Sequence, residues 1–228
     1  MRIAIVQSNY LPWKGYFDLI RSVDEFVLFD DAQYTRRDWR NRNRIKTAQG
    51  PAWLTIPVQT SGRFLSPIKD ITVADPDWGR RHWRAILASY ADAPHFQTHA
   101  EAMEALFLDS LQTNLSLINR RWLEFLCGLL DIHSKLSWSM DYQAQPGRTE
   151  RLISICQQAG AHTYVSGPSA RAYLDEGLFR AAGLEVQYFD YAGYPEYEQL
   201  FPPFDHYVSV IDLIFNAGPR ARQYMLRN

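Results

Sequence analysis

Cysteine is nearly missing from this sequence. Cys127 and Cys156 are the two in 228 residues, and both lie in helix-like apolar surroundings. That excludes a disulfide framework and reads as buried thiols of a cytoplasmic protein. Neither stands in an electropositive stretch that would activate a thiol. Long apolar runs are missing too: none approaches the roughly 20 residues of a membrane span. The run near the start, Ile3 to Val6, is too short for a signal peptide, so no membrane partner is expected. A charge excess is also lacking. With 24 Lys and Arg against 25 Asp and Glu, the formal net charge is −1, which disfavours nucleic acid as a partner. No internal repeat, low-complexity tract, Lys-bearing phosphate loop or GxSxG nucleophile elbow is present.

Aromatic side chains are in surplus. They make up 14% of the chain, with 7 Trp and 13 Tyr, and several are expected to line a binding cleft, since Tyr and Trp pair an apolar body with a polar tip. The most distinctive stretch is 30–46, DDAQYTRRDWRNRNRIK. It holds Arg36, Arg37, Arg40, Arg42, Arg44 and Lys46, and arginine forks onto phosphate or carboxylate through paired hydrogen bonds. From Arg40 to Lys46 the basic residues fall on every second position. An extended strand would put them on one face, with Asn41, Asn43 and Ile45 on the other. The functional reading is an anion-binding ribbon for a small-molecule substrate. The alternative is a solvated edge strand whose charges discourage aggregation.

In chain order, 2–7 reads as a buried strand that opens into a turn marked by Asn9, Pro12 and Gly15. A helix over 16–22 and a strand over 25–29 follow. That is a βαβ unit, which brings the 7–16 loop and Asp30-Asp31 together at the carboxyl edge of a sheet, where such sheets bind ligands. A hairpin is expected over 40–58, a loop over 61–67 with Arg63 as a further anion contact, and a short strand over 68–73. Helices over 78–90, 94–109 and 115–130 form a helical segment, 77–131, packed on the sheet. The βα alternation resumes with strands over 135–140, 163–165 and 185–189. A helix spans 149–159, another follows Gly167-Pro168 with Ser169 as its cap, and helices over 208–215 and 220–226 close the chain. The expectation is one α/β domain over 1–228: a Rossmann-like, mostly parallel sheet with a β-hairpin excursion.

The candidate chemistry follows from that placement. Gln7, Asn9 and Tyr10 contact the ligand from the first loop, and Trp13 and Trp39 stack on a base or sugar. Arg37, Arg40, Arg42 and Arg44 clamp phosphate, with Tyr34 and Asn43 beside them. Ser166, Gly167 and Ser169 stand at a strand-to-helix turn whose N–H groups suit an anion, or simply cap a helix. Asp30 and Asp31 are acid/base candidates; with Asp38 they are also suited to Mg²⁺, or to pairing with the arginines. His206 is a further acid/base candidate, because histidine titrates near neutral pH, with a structural role as the alternative. His82 reads as structural. His95 and His99 have i, i+4 metal spacing without a third ligand, so no metal site is expected. No cofactor follows from the residues, and neither does an oligomeric state.

These residues carry a resemblance. The blocks Gln7-Ser8-Asn9-Tyr10-Leu11-Pro12-Trp13, Asp30-Asp31-Ala32-Gln33-Tyr34, the run from Arg37 to Lys46, Trp53 to Val58, Tyr164 to Leu174, Gly193 to Tyr197 and Ser209 to Gly218 resemble the WbqC-like family. The likeness covers nearly the whole chain. Ser8 departs from it, standing where the family pattern has Pro. The resemblance implies a bacterial protein of surface-polysaccharide (O-antigen) or related small-molecule biosynthesis. A more distant likeness joins Trp13-Lys14-Gly15-Tyr16 and the following strand to the HIGH-type nucleotidyltransferases. Trp13 and Tyr16 replace both histidines of that motif, so adenylyl transfer does not carry over.

Overall fold

A computed structural model describes residues 1–61, 65–109 and 112–226; the contact expected of Arg63 lies outside them. Strand β1 (Arg2–Val6) is apolar on both sides, because it is the middle of a parallel sheet covered on both faces. The chain passes through helix α1 (Lys14–Arg21) into strand β2 (Glu25–Leu28), which lies parallel to β1 with Ile3 opposite Glu25. It then leaves the sheet. Strands β3 (Arg42–Thr47) and β4 (Gly50–Thr55) form the expected hairpin. Gly50, at φ +105°, supplies the backbone geometry that closes its turn.

Helices α2 (Trp78–Tyr90), α3 (Phe96–Leu108) and α4 (Leu115–Leu129) follow. Asn114 caps α4, its side-chain oxygen accepting from the Leu117 N–H at 3.1 Å. The remaining elements are β5 (Lys135–Trp138), α5 (Thr149–Gln158), β6 (Thr163–Ser166), α6 (Glu176–Ala181), β7 (Glu185–Tyr188) and α7 (Val210–Ala217). The central sheet runs β5-β2-β1-β6-β7, with every pairing parallel. Counting only its own strands, that is the reversing order of the doubly wound nucleotide-binding folds, and the reversal falls between β1 and β6.

Right-handed crossovers send the helices before and after such a reversal to opposite faces. Accordingly, Phe17 of α1 and Leu123 of α4 share a core with Ala4, Phe26 and Leu28. Ile155 of α5 and Phe179 of α6 share another with Ile3, Ile5 and Val27. The first core also takes in Ile45 and Leu54 of the hairpin and Trp83, Phe96 and Phe215 of the helices. Helices α2, α3 and α4 thus belong to one apolar cluster with sheet residues. Both thiols are buried, which pushes each up to about 12. No helix among the described residues is long and apolar enough to cross a membrane.

Three local expectations need correction. The stretch 68–73 is not a strand: Ile68–Asp70 is a 3-10 turn. Its donors go to the chain leaving β2, Ile68 N–H to Ala32 O at 3.0 Å and Lys69 N–H to Asp30 O at 2.8 Å. After β6 there is no helix capped by Ser169. Pro168–Ala172 is a 3-10 turn, and α6 starts later, capped by the Asp175 carboxylate. Past α7, Gly218 at φ +52° turns the chain into a 3-10 segment, Gly218–Tyr224, in place of an α-helix.

Candidate functional site

A cleft of about 650 Å³ opens where the strand order reverses, at the carboxyl ends of β1 and β6. Gln7 and Asn9 reach it from β1, and Ser166, Gly167 and Ser169 from the turn after β6. Trp13, Trp39 and Arg40 complete it from the first loop and the ribbon. Arg148, Tyr173 and Tyr191 are further wall residues, with the Arg148 guanidinium 4.2 Å from the Tyr173 ring centre. Arg40 and Arg148 are the ionised groups on its walls. Among the described residues, no aspartate, glutamate, histidine, cysteine or lysine lines it. Burial pushes the Tyr191 phenol up to about 12, so it stays protonated and able to donate at neutral pH.

Arg40 is held by a buried polar network. Asp30, wholly inaccessible, accepts from the Ser8 N–H at 2.9 Å and from the Ser116 hydroxyl. The Asn119 amide of α4 donates to Ser8 Oγ at 3.0 Å and to the Arg40 carbonyl at 2.8 Å. The Tyr10 N–H donates to Trp39 O at 3.0 Å, so ribbon and opening turn are joined through the backbone. Arg40 then lays its guanidinium over the turn: Nη1 donates to Asn9 Oδ1 and lies 3.4 Å from Gln7 O, and Nη2 is 3.4 Å from Asp38 Oδ2. Its Nε is buried without a partner.

The expected clamp of four arginines reduces to Arg40. Arg42 stacks on Trp53, 4.2 Å from the ring centre, and donates to Arg37 O. Arg37 itself is exposed, at φ +59°. Arg44 donates to Tyr207 O at 2.7 Å and stands 3.8 Å from Asp205. Lys46 is buried against Pro203 O. The alternation holds for Arg42, Arg44 and Lys46 of β3, whereas Arg40 lies in a turn before the strand and not on it, and each of the four has protein partners.

The Trp13 indole lies against Gly15 in the first turn of helix α1. A Cβ on Gly15 would stand 2.6 Å from Trp13 Cε2, so the indole occupies space that only glycine leaves open. Trp13 is itself packed by Tyr191 and Tyr194, each with a centroid separation of 5.5 Å.

Trp13, Trp39 and Asn9 also wall a second chamber of about 150 Å³, completed by Pro12, Asn43 and Tyr207. The two spaces share these three residues. Trp39 packs against Trp53 with ring centres 5.5 Å apart and planes tilted by 35°, and the two indoles are 41% and 46% exposed.

A model of the WbqC-like protein family matches residues 7–224. The chain belongs to that family. This WbqC-like chain is similar to "Uncharacterized protein Rv1507c" of Mycobacterium tuberculosis, with 51% identity over 224 residues, covering 98% of this chain and 97% of that one. No solved structure matches it.

Other candidate residues of this WbqC-like chain lie off the cleft. Asp30 has no exposed surface. Asp31 pairs with Arg151 and accepts from Ser139 Oγ at 2.5 Å. His206 is packed against Phe204, 4.5 Å between ring centres. Burial holds its pKa below the usual histidine value. Tyr10 is buried and its hydroxyl is 2.8 Å from His82 Nδ1, and Tyr34 is buried too. Among the described residues, no three His, Cys, Asp or Glu side chains form a group able to hold a metal.

At Ser8, where the resemblance led to an expectation of Pro, the backbone has a bond that proline could not make. Its N–H is bonded to Asp30, and proline has none to give. Sequence reasoning missed Arg148, though a basic residue after Pro146-Gly147 at a helix start is a usable signal. It also missed Tyr173 and Tyr191, which carry no local signal.

Proposed function

We propose that this protein binds a phosphorylated, nucleotide-linked metabolite in the cleft and is a cytoplasmic, single-domain group-transfer enzyme. The setting implied by the family resemblance is bacterial surface-polysaccharide or related small-molecule biosynthesis, and the reaction proposed within it is amino or acyl transfer. The observation that carries the reading is the charge on the cleft wall: among the described residues two guanidinium groups line it and no carboxylate does, although Arg40 also pairs with Asp38 at 3.4 Å. Guanidinium groups neutralise the standing charge of a ligand's phosphates through charge-assisted hydrogen bonds, and so hold the ligand. The Tyr191 phenol and the Ser166–Ser169 turn add donors. Asp30, Asp31 and His206 have no acid/base part in this scheme.

A thermal-shift series with pyrophosphate, nucleoside diphosphates and nucleotide sugars tests it. Stabilisation by diphosphates, lost in Arg40→Ala, is expected. Absence of any response to all of them removes the reading.

A second reading has one observation in its favour. The exposed Trp39–Trp53 pair, with Arg42 stacked on it, resembles the aromatic and cationic platforms that bind single strands. Salt-sensitive oligonucleotide binding without any nucleotide response would select a non-catalytic protein instead.

A further inference from the structure

The 150 Å³ chamber beside the cleft has walls fit for a flat ring. Trp13 and Trp39 supply apolar surface, and Tyr207 and Pro12 close it. Its specificity rests on two amides, Asn9 and Asn43, whose orientations are forced by their partners. Asn9 Oδ1 accepts from the Arg40 guanidinium, which can only donate. Asn43 Oδ1 accepts from the Arg44 N–H at 2.8 Å, and Asn43 Nδ2 donates to the Tyr10 carbonyl at 3.2 Å. Neither amide can flip without setting donor against donor or acceptor against acceptor. Each oxygen is thus turned toward a donor of the protein, and each amide keeps an N–H with no partner among the described residues to offer a ligand.

From this we infer that the chamber is a base subsite selecting an acceptor-edged ring, the 2,4-dioxopyrimidine of uridine or thymidine nucleotides. Uracil and thymine present carbonyl oxygens, which an amide N–H satisfies. Where uracil and thymine carry O4, cytosine and adenine carry an exocyclic amino group, and an N–H donor directed at that position would meet a donor and leave it unpaired. Because the chamber and the cleft share Asn9, Trp13 and Trp39, one ligand can fill both. The base lies between the aromatic walls, and its phosphates lie at Arg40. The inference rests on the anion reading of the cleft and adds the identity of the base.

Isothermal titration at fixed ionic strength separates the two. The probes are pyrophosphate and the diphosphates of uridine, thymidine, cytidine and adenosine. Uridine and thymidine diphosphates are expected to bind at least roughly tenfold tighter than the other two nucleotides, and tighter than pyrophosphate. Trp39→Ala is expected to bring all four nucleotides to the affinity of pyrophosphate. Asn9→Asp keeps an oxygen for Arg40 but turns an acceptor toward the ring, and is expected to shrink or reverse the preference for uridine over cytidine. Equal binding of the four nucleotides, or no gain over pyrophosphate, overturns the base subsite and leaves the anion site standing. No binding of any probe, pyrophosphate included, overturns both. A preference unmoved by Asn9→Asp and by Trp39→Ala overturns the placement of the base in this chamber.

Discussion

Arg40 donates to the side-chain oxygen of Asn9, and that contact ties the cleft to the chamber. It holds a guanidinium at the carboxyl edge of β1, and it dictates which end of the Asn9 amide is left to a ligand. Replacing Arg40 by Ala removes the cleft's best-held cation. Pyrophosphate affinity is expected to fall by roughly 10- to 100-fold, the range for a charge-assisted bond. Titration calorimetry reads it, with an unchanged circular-dichroism spectrum as the control. Unaltered affinity would show that the anion site lies elsewhere.

Asp30 acts by holding, not by touching a ligand. Asp30→Ala leaves the buried Ser8 N–H and Ser116 hydroxyl without their acceptor. The expected cost is about 2 kcal/mol in urea unfolding. Asp30→Asn, which keeps one acceptor oxygen, should cost less. Equal stability of wild type and Asp30→Ala would refute the network's role.

Gly15→Ala tests the contact of Trp13 with α1. The new methyl would overlap the Trp13 indole, so either the ring or the helix start moves. A loss of roughly 1–3 kcal/mol is expected for such overpacking, together with a weaker thermal response to diphosphates. A variant with wild-type melting temperature and ligand response would mean that Trp13 is free to sit elsewhere.

His82 predicts an acid-sensitive fold. Burial holds its pKa down, to about 4 from 6.5, and its Nε2 faces the Thr55 carbonyl at 3.1 Å. That carbonyl can only accept, so Nε2 carries the proton and Nδ1 accepts from the Tyr10 hydroxyl. Between pH 4 and 6.5 the unfolded chain binds the proton and the folded one does not. The His82 contribution is therefore complete above pH 6.5 and lost as the pH falls toward 4, by roughly 3 kcal/mol in all. Chemical unfolding of wild type and His82→Gln across this range measures it. Parallel curves for the two proteins would contradict the assignment.

Much of this was legible along the chain. The apolar runs of β1 and β2, the start signal before α2, the periodicity of α4 and the alternation of the ribbon are local patterns, and local sterics and burial are enough to express them. They placed a parallel sheet, a hairpin, and the 7–16 loop beside the ribbon. The stretch 68–73 was misread because its donors are claimed by a distant turn, which no local pattern records.

The division of labour among the arginines was set by contacts that exist only in the folded chain. Arg40, Arg42 and Arg44 are two residues apart and chemically identical. One meets the opening turn, one meets Trp53, and one meets a carbonyl 163 residues away. Sequence alone determined that cations would gather between Arg36 and Lys46 of this protein. Only the tertiary structure decided that Arg40 stands on the cleft wall while Arg42 and Arg44 do not, because a guanidinium goes to whichever acceptors and aromatic faces the packed neighbours bring within reach.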